Sequence, residues 1–541
     1  MRSVSKKQSD HAKILLLAAI SSFALASGSA QAQSSDASGN SAEMTVNEIT
    51  VTAQRRNESL QDVPISIHAF SAETLKSANV RTITDLMSLT PGLQIQVDAT
   101  YVNPRLRGVG AIAASVSIEN SVATYIDGVY LRSGAGGNFS FNNISNIEVD
   151  KGPQGTLFGR NATAGLIQIT TRDPQETFRW SGSLSYGNYD TFGGDFYATG
   201  GVAPNLAADI SGYISYQSKG YGENAFTGKD INRTRDYAAR SKWVLTPSDR
   251  TKIKFSADFQ RTDGIPQLIP APGATPAGGV PYTGPRQGMN AYYQPWSRVD
   301  AGGTSLRIEQ DLGFANLMSL TAYRHTHLEI FYDSFTTDPL TTINLRIVDQ
   351  NDGFSQEFQL QSQESSWLKW TTGVFLYYDK AQYKPVDLYD PFFAPFDFFR
   401  LRSKEITKSA AIYGQAAAEI LPETNLTAGF RYTIESRTAT SAQFLEPGSL
   451  ELGGDRRKLS VERPTWRLSL DHRFSPQIMG YLSYNRGFKS GGFNHTELPL
   501  LPFKPETLDA YEIGLKTQTS DRALSFNVAG FYYDFKNIQT V

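Results

Sequence analysis

The chain has 541 residues, no cysteine, and 51 basic against 53 acidic residues. Without cysteine there are no disulfides, no thiolate chemistry and no cysteine-bound metal. The balanced charge gives no basic excess of the kind that favours a nucleic-acid partner. Beyond the N-terminal segment no run reaches 18 apolar residues, so the sequence predicts no transmembrane helix.

Residues 1–32 have the features of a secretory signal peptide. Four basic residues come first, a short apolar run over residues 14–26 follows, and Ala30-Gln31-Ala32 forms an A-x-A cleavage site. The chain is therefore expected to leave the cytoplasm.

Residues 33–59 are predicted to form a flexible leader, because residues 33–47 are rich in Ser, Gly and Asn. The leader contains one strand-like segment with a run of β-branched residues. This segment is the six-residue stretch Glu48, Ile49, Thr50, Val51, Thr52 and Ala53. A leader that is disordered throughout is the alternative.

Residues 60–173 are predicted to form one compact α+β unit. The stretch 63–70 alternates as a strand, and Ser71 is placed to cap a short helix that runs through Ala78. Thr82, with Asp85 three residues later, is typical of the capping box that begins a second helix. Several short strands follow.

A glycine-rich stretch, KGPQGTLFGRNATAG at 151–165, follows a predicted strand and resembles a phosphate-binding loop. A P-loop needs its lysine after the glycines and a helix directly behind them. Here the lysine comes first, and an alternating strand pattern follows. We therefore interpret the glycines as tight-turn residues. The turn motif consists of Gly152, Pro153, Gly155, Gly159 and Arg160.

From residue 180 to residue 541 the chain is a series of alternating strands. We count about 15, many of them longer than the roughly 10 residues that cross a bilayer. Short turns alternate with long loops, of which the longest is 264–296, and the chain has 31 Phe, 26 Tyr and 6 Trp. These features predict a mostly β protein with a transmembrane antiparallel β-barrel, whereas a soluble β-sandwich or propeller fits them less well.

Several motifs, taken in order, resemble the TonB-dependent outer-membrane receptors. One of them, EITVTA at 48–53, is similar to the TonB box of that family. The plug-like motifs are RLRGVG at 105–110, YIDGVY at 125–130 and IEVDKGPQGTLFGRNATAGLIQITTRDP at 147–174, and the barrel-like motifs are YNRGFKSGGFN and FKPETLDAYEIGLKT.

The resemblance covers everything after the signal peptide and implies a plug that sits inside the lumen of a barrel. In that arrangement the chain has four parts. They are the signal peptide (1–32), the leader with its TonB box (33–59), the plug domain (60–173) and a partial barrel (180–541).

The same resemblance implies active import of a scarce, bulky ligand across the bacterial outer membrane. TonB, with its inner-membrane energising complex, would supply the energy by adding the TonB box as a strand to its own sheet. A ferric siderophore is the expected cargo, with no permanently bound cofactor, and the receptor would be monomeric in the outer-membrane lipid. The alternatives are a non-iron ligand, such as cobalamin, haem, a plant glycan or an aromatic compound, or a passive porin or adhesin. No catalytic motif predicts an enzyme.

In this family basic plug residues pair with barrel glutamates, and the matching plug positions are Arg107 and Lys151. For the barrel side, alternation gives an independent prediction. If the apolar residues of each strand face lipid, then Glu435 and Glu512 face the lumen. We expect these four residues to form a charge lock between plug and barrel. The alternative is that the two glutamates are merely wetted lumen charges.

The ligand-binding residues are less well indicated. An aromatic loop at 392–399 could stack on a catecholate or sugar ring, or it could simply pack on itself. His325 and His327 share one face of a strand and could bind metal. Because no third ligand lies nearby in sequence, two surface histidines fit better than a metal site.

The C-terminal end of the sequence differs from the family pattern. About 15 strands are fewer than the 22 of a plugged transporter barrel, and Val541 is not the terminal aromatic residue that such barrels usually have. We therefore expect a truncated product or a partial record, in which the first and last strands do not pair.

Overall fold

The computed structural model describes residues 50–98, 100–111, 118–136, 143–265, 288–333 and 343–539. The predicted signal peptide, the leader up to Ile49, and most of the long loop 264–296 lie outside the described residues.

The first part of the described chain is an α+β unit. Its leader forms a small hairpin of β1 (Thr50–Val51) and β2 (Glu58–Ser59), although we assigned residues 33–59 to a flexible segment. The helical elements are α1 (Ala72–Ser77), a 3-10 turn (Ile83–Ser88) and α2 (Gly155–Phe158). The other strands are β3 (Ile67–Ser71), β4 (Leu93–Asp98), β5 (Tyr101–Leu106), β6 (Val122–Ile126), β7 (Val129–Leu131), β8 (Ile144–Lys151) and β9 (Gly165–Thr171).

A five-stranded sheet in the order β3-β8-β9-β6-β7 forms the centre of this plug unit. The strands β6 and β9 run parallel, and the other neighbours are antiparallel. Ile147, Val149 and Ile167 point into the core and are fully buried. The alternation of β-branched residues along β8 and β9 is what allows one face of the sheet to pack on the helical elements.

Both predicted helix starts are confirmed. The Thr74 N–H donates to the Ser71 hydroxyl at 3.2 Å, and the Thr82 N–H donates to the Asp85 carboxylate at 2.9 Å. The second element is a 3-10 turn rather than an α-helix. In the part of the chain that the structure describes, no helix is long and apolar enough to cross a membrane.

The second part is one antiparallel sheet of 15 strands, in agreement with the predicted number. Two small hairpins lie in its connections, one of β13 (Gly222–Asn224) with β14 (Lys229–Ile231) and one of β25 (Gly492–Phe493) with β26 (Pro502–Phe503). The 3-10 turns of this part are Asn188–Asp190 and Pro391–Phe393. The 15 strands of the sheet are β10 (Arg179–Gly187), β11 (Thr191–Ala203), β12 (Leu206–Gln217), β15 (Arg233–Ser248), β16 (Thr251–Ile265), β17 (Trp296–Asp311), β18 (Ala315–Asp333), β19 (Asn344–Ser362), β20 (Leu368–Tyr389), β21 (Phe398–Leu421), β22 (Thr424–Glu446), β23 (Leu450–Ser475), β24 (Ile478–Lys489), β27 (Glu506–Gln518) and β28 (Ser525–Lys536).

The sheet follows the chain order, with β10 and β28 as its edge strands among the described residues. Tight turns join β11 to β12, β15 to β16, β21 to β22 and β23 to β24, as predicted. Longer connections and the two small hairpins lie at the opposite end of the strands. The sheet therefore has a short-turn end and a long-loop end.

Alternation sorts the side chains of each strand onto two faces. Along β27, Tyr511 is 49% exposed and Ile513 is 61% exposed, whereas the Glu512 side chain between them is 7% exposed. The same alternation along β22 leaves Phe430 and Ile434 outside and buries Glu435. The outer face is apolar and the inner face, which contacts the plug, is polar, as expected for a barrel in lipid.

Candidate functional site

The described part of the predicted TonB box, residues 50–53, is folded against the plug. Val51 and Ala53 are buried in a small apolar cluster. The Thr52 backbone N–H donates to Glu148 Oε2 at 2.8 Å, and its hydroxyl donates to Glu148 Oε1 at 3.2 Å. The segment therefore uses the Thr52 backbone donor, which an added strand would need, inside its own chain. Glu48 and Ile49 lie outside the described residues.

Glu148 is one of two buried carboxyl groups on β8. Burial raises the pKa of Glu148 to about 7, against the opposing effect of its bonds from Thr52. Burial and the neighbouring Glu148 charge also raise the pKa of Asp150. The Gln168 side-chain amide donates to both carboxyl groups, at 3.4 Å and 3.2 Å. The box is thus held by an acid that can change its charge near neutral pH.

The residues directly behind the box contact the inner wall of the barrel. Gln54 accepts a bond from the Gln415 side chain at 2.8 Å. Arg55 Nη2 lies 3.5 Å from Glu357 Oε1, and its guanidinium carbon lies 4.2 Å from the ring centroid of Phe158. The leader is therefore fastened both to the plug and to strands β19–β21.

A polar cavity of about 1270 Å³ lies beside the leader at the short-turn end. Arg55 lines one side of it, and Asp173 lines another. Asp173, in the connection from plug to barrel, contacts the amino groups of three lysines. They are Lys254 at 2.7 Å, Lys242 at 3.1 Å and Lys252 at 3.2 Å.

Arg107 and Glu512, two of the four predicted lock residues, are in direct contact. Arg107 Nη1 lies 2.6 Å from Glu512 Oε2 and also donates to the Tyr533 hydroxyl at 2.9 Å. The Tyr481 hydroxyl donates to the other oxygen of Glu512 at 2.7 Å. The plug arginine therefore joins β27 and β28 inside the lumen.

Lys151 and Glu435 are placed differently. Lys151 Nζ donates to the Pro91 carbonyl at 2.7 Å, and in the described residues it forms no ion pair with Glu512. Burial and the nearby Arg107 charge lower the pKa of Lys151 to about 8. Glu435 does contact the plug, but its partner is Arg160 at 3.2 Å, not Arg107 or Lys151.

Arg160 and Glu435 belong to a larger buried group that we call the ion cluster. Glu119 and Arg160 come from the plug, and Glu405, Glu435 and Arg437 come from the barrel. The shortest contacts are Glu119 Oε1–Arg437 Nη2 at 2.6 Å, Glu119 Oε1–Arg160 Nη1 at 2.7 Å, Glu435 Oε1–Arg437 Nε at 2.7 Å and Glu405 Oε1–Arg437 Nη1 at 3.0 Å. All five side chains are at most 7% exposed.

The charges of the ion cluster stabilise one another. Burial alone would raise the pKa of Glu119, but the charges of Arg160 and Arg437 outweigh it, so this pKa lies well below its ordinary value. Our sequence reasoning missed three members. Alternation along their strands places Arg437 and Glu405 on the lumen-facing side, and the same pattern identified Glu435. No sequence pattern indicates Glu119.

The turn motif lies against the barrel wall. Gly152 and Gly159 have φ of 88° and 84°, and between them the chain forms the short buried helix α2 instead of a continuous turn. A side chain at residue 159 would come within 2.7 Å of the Arg431 guanidinium. Glycine is therefore needed there both for the backbone conformation and for the close approach.

The residues considered for ligand contact lie on the outer face and in a loop. His325 Nδ1 lies 2.8 Å from Asp352 Oδ1, and the described residues contain no group of three or more His, Cys, Asp or Glu suited to a metal ion. In the aromatic loop Phe393 stacks on Phe399 with ring centroids 5.9 Å apart, while Phe392 is 88% exposed. The loop thus packs largely on itself, and the exposed Phe392 ring contacts only the edge of its neighbour Phe393 among the ring contacts of the described residues.

Two family models match this chain. Residues 59–166 match the TonB-dependent Receptor Plug Domain, and residues 246–541 match the TonB dependent receptor-like beta-barrel. The chain belongs to the TonB-dependent receptors, a family of outer-membrane transport receptors and not of porins. In such barrels the short turns face the periplasm and the long loops face the outside.

Individual relatives are distant in sequence. The pesticin receptor of Yersinia pestis is 24% identical over 507 residues, which cover 91% of this chain and 71% of the relative. The ferrichrome outer membrane transporter/phage receptor of Escherichia coli K12 is 20% identical, with 88% and 67% covered. Among solved structures, the ferric yersiniabactin uptake receptor FyuA of Yersinia pestis is similar with a TM-score of 0.77 at 18% identity, covering 88% of this chain and 73% of that one.

Proposed function

We propose that this receptor imports a ferric siderophore across the outer membrane, with energy supplied by TonB. The names of its relatives support this cargo, since they include receptors for ferric yersiniabactin, ferrichrome and ferrioxamine. The cargo is an iron chelate and not a resident cofactor.

The observation that carries the proposal is the plug seated in the lumen by buried ion pairs. Arg107–Glu512 and the ion cluster join plug to barrel from within, and their side chains are almost wholly buried. A bulky solute can pass only if these contacts or the leader contacts rearrange. Rearrangement requires work, and the outer membrane has no nucleotide to supply it.

We also assign roles to the residues of the coupling path. Residues 48–53 are the segment that TonB binds by strand addition, once Thr52 has left Glu148. Arg107 with Glu512, and Arg160 with Glu435, hold the plug in the closed state. Lys151 supports this arrangement through the Pro91 carbonyl without pairing to Glu512.

The test is uptake of radioactive iron in cells that carry the receptor or lack it. The probes are ferric yersiniabactin, ferrichrome and ferrioxamine, with radiolabelled cobalamin as the non-iron arm, because a short match to the vitamin B12 transporter BtuB of Vibrio vulnificus is 30% identical. We expect one ferric chelate to accumulate only when both receptor and TonB are present. Accumulation of cobalamin alone, or uptake that persists without TonB, would contradict the proposal.

A further inference from the structure

The plug lies close against one side of the barrel. On strands β21–β24, which we call the docked wall, backbone groups of plug and barrel are in direct contact. The Asn161 N–H donates to the Phe488 carbonyl at 2.9 Å. A Cβ built on Gly429 would come within 2.8 Å of Thr156 Cγ2, so helix α2 leaves no room for a side chain there. Together with the ion cluster, these contacts fix α2 on the docked wall.

On strands β16–β19, which we call the cavity wall, the plug leaves open space. The polar cavity of about 1270 Å³ runs up this wall from the periplasmic end as far as Ser305 and Leu320. Small-molecule sites in proteins usually need less, about 300–1,000 Å³. Above the cavity, the lumen face of β17 carries the small residues Ala301 and Gly303. The lower part of the cavity wall is therefore separated from the plug by a space large enough for a bulky solute.

A second, smaller cavity lies farther up the same wall. It has about 20 Å³, which is enough for a single water, and its lining includes Arg132 of the plug with Ala322 and Thr326 of β18. Because β18 runs from the periplasm toward the outside, Leu320 at the large cavity and Ala322 at the small one are consecutive lumen-facing residues. The two cavities therefore lie one above the other on this side of the plug.

Apolar side chains close the gap between the two cavities. Leu320 and Ala322 are buried with Val129 of the plug in one hydrophobic cluster, and Leu131 packs against this cluster. A Cβ on Gly128 would lie 3.3 Å from Leu320 Cδ2, so plug and wall approach each other closely here. We call Val129, Leu131, Leu320 and Ala322 the apolar seal. Opening the apolar seal leaves no buried charge without its partner, in contrast to opening the ion cluster.

Above the apolar seal, hydrogen bonds and apolar packing hold the plug to the cavity wall. The Gln260 side-chain amide donates to the Gly136 carbonyl at 3.3 Å, and the Tyr101 hydroxyl donates to Asp349 Oδ2 at 2.7 Å. Tyr101 also packs with Val299 of β17 in a buried apolar cluster. The docked wall, by comparison, shares the five-residue ion cluster with the plug. Of the two walls, the cavity wall therefore has the contacts that are easier to separate.

We propose that the cargo passes between the plug and the cavity wall, through the apolar seal and the large cavity, while α2 stays on the docked wall. Leu320 and Ala322 are then the gate residues of the barrel. The inference rests on the proposed transport function but not on the identity of the cargo. The leader fits this route, because Arg55 and Arg56 line the large cavity and leave it when TonB draws residues 48–53 away.

The test uses cysteine pairs that join the plug to one wall at a time, in a chain that has no cysteine of its own. Gly136→Cys with Thr326→Cys joins it to the cavity wall, since a Cβ on residue 136 lies 3.1 Å from Thr326 Oγ1. Thr156→Cys with Gly429→Cys joins it to the docked wall, where the corresponding approach is 2.8 Å. This second pair is the matched control, because each pair replaces one Gly and one Thr. Uptake of the imported chelate is measured with each pair oxidised and again after reduction.

We expect oxidation of the cavity-wall pair to reduce uptake to background, and reduction to restore it. Oxidation of the docked-wall pair should leave uptake at the parental level. Surface binding of the chelate and heat-modifiable gel mobility should be parental in both variants. Loss of uptake in both oxidised variants would show that the plug moves as one body, and would overturn the proposal. Loss in neither variant, or only in the docked-wall variant, would place the passage elsewhere and would also overturn it.

Failure of the proposed function gives a different result. If the parent imports cobalamin and no ferric chelate, the cargo assignment fails, while the two cysteine pairs still report the route with cobalamin as the probe. If the parent imports neither probe in the presence of TonB, the transport function itself fails and the route fails with it.

Discussion

Two of the contacts inside the barrel, the ion cluster and the leader, differ in kind. At the ion cluster, five charged side chains from plug and barrel share short bonds and are almost completely buried. At the leader, residues 50–55 are held by hydrogen bonds to side chains such as Glu148 and Gln415, and by one longer ion pair from Arg55 to Glu357.

The difference indicates which contact yields first under force. Breaking the ion cluster exposes several charges to one another in a water-poor site, which is costly because each loses its partner. Releasing the leader breaks mainly hydrogen bonds and one ion pair of 3.5 Å, beside a polar cavity of about 1270 Å³ from which water can replace the lost bonds. A pull on residues 48–53 should therefore free the leader before it disturbs the cluster.

The largest effect should come from blocking the coupling segment. Val51→Pro removes a backbone donor and fixes φ, so the segment can no longer add to the sheet of TonB. We expect uptake of the ferric chelate to fall to background while surface binding remains. Val51→Ala keeps the donor and serves as the control. Normal uptake with Val51→Pro would refute the assignment of this segment.

Of the contacts compared between plug and barrel, the ion cluster should contribute most to holding the plug in place. Arg437→Met removes the arginine shared by Glu119, Glu405 and Glu435 and leaves Arg160 to balance the cluster, and we expect a cost of about 3–5 kcal/mol in the seating of the plug. Ion conductance of the receptor in planar bilayers should rise, because a loosened plug leaks. Arg457→Met removes a half-exposed arginine of the next strand and should leave conductance unchanged. Parental conductance in Arg437→Met would show that the cluster does not hold the plug.

The pair Arg107–Glu512 should contribute less than the ion cluster to holding the plug in the barrel. Glu512→Gln keeps the size of the side chain and removes one charge. We therefore expect the seating of the plug to lose about 1.5–3 kcal/mol, and the conductance to rise less than in Arg437→Met. Glu462→Gln, on the outer face of the same sheet, is the matched control. If Glu512→Gln leaks more than Arg437→Met, the ranking of the two contacts is wrong.

Much of this arrangement could be predicted from the sequence. Alternation placed Glu435 and Glu512 in the lumen, because a period of two is a local property that the barrel preserves. The strand number and the short turns followed from the same periodicity.

Pairing across the lumen could not be predicted in the same way. Alternation shows which face of a strand a side chain lies on, but not which plug residue lies opposite it in the lumen. It therefore could not show that Glu435 contacts Arg160 rather than Lys151. Nor does a Ser-rich leader show that Val51 will be buried, since its burial depends on a fold that brings Val63 and Ile65 onto it and Thr52 onto Glu148, 96 residues along the chain. Such contacts depend on how the plug and the barrel pack together in three dimensions, and a local sequence pattern does not show this.

The smallest expected effect concerns the pH dependence of leader release. Burial raises the pKa of Glu148 to about 7 while the leader is folded against the plug, which we call the stowed state, although the Thr52 bonds oppose this shift. If release of the leader lets water from the adjoining cavity reach this carboxyl, its pKa returns toward the ordinary value of 4.5, so the stowed state binds the proton more tightly. Stowing is therefore strongest at low pH and weakens as pH rises from about 4.5 to about 7. The chain has no cysteine, so Thr50→Cys takes a single nitroxide label within the box. We expect the mobile fraction of its EPR spectrum to grow about tenfold between pH 5 and pH 8, and Glu148→Gln, which still accepts from Thr52, to flatten this response. An equal pH response in Glu148→Gln would show that another group controls release, and a response of opposite sign would show that the carboxylate tightens the leader contact.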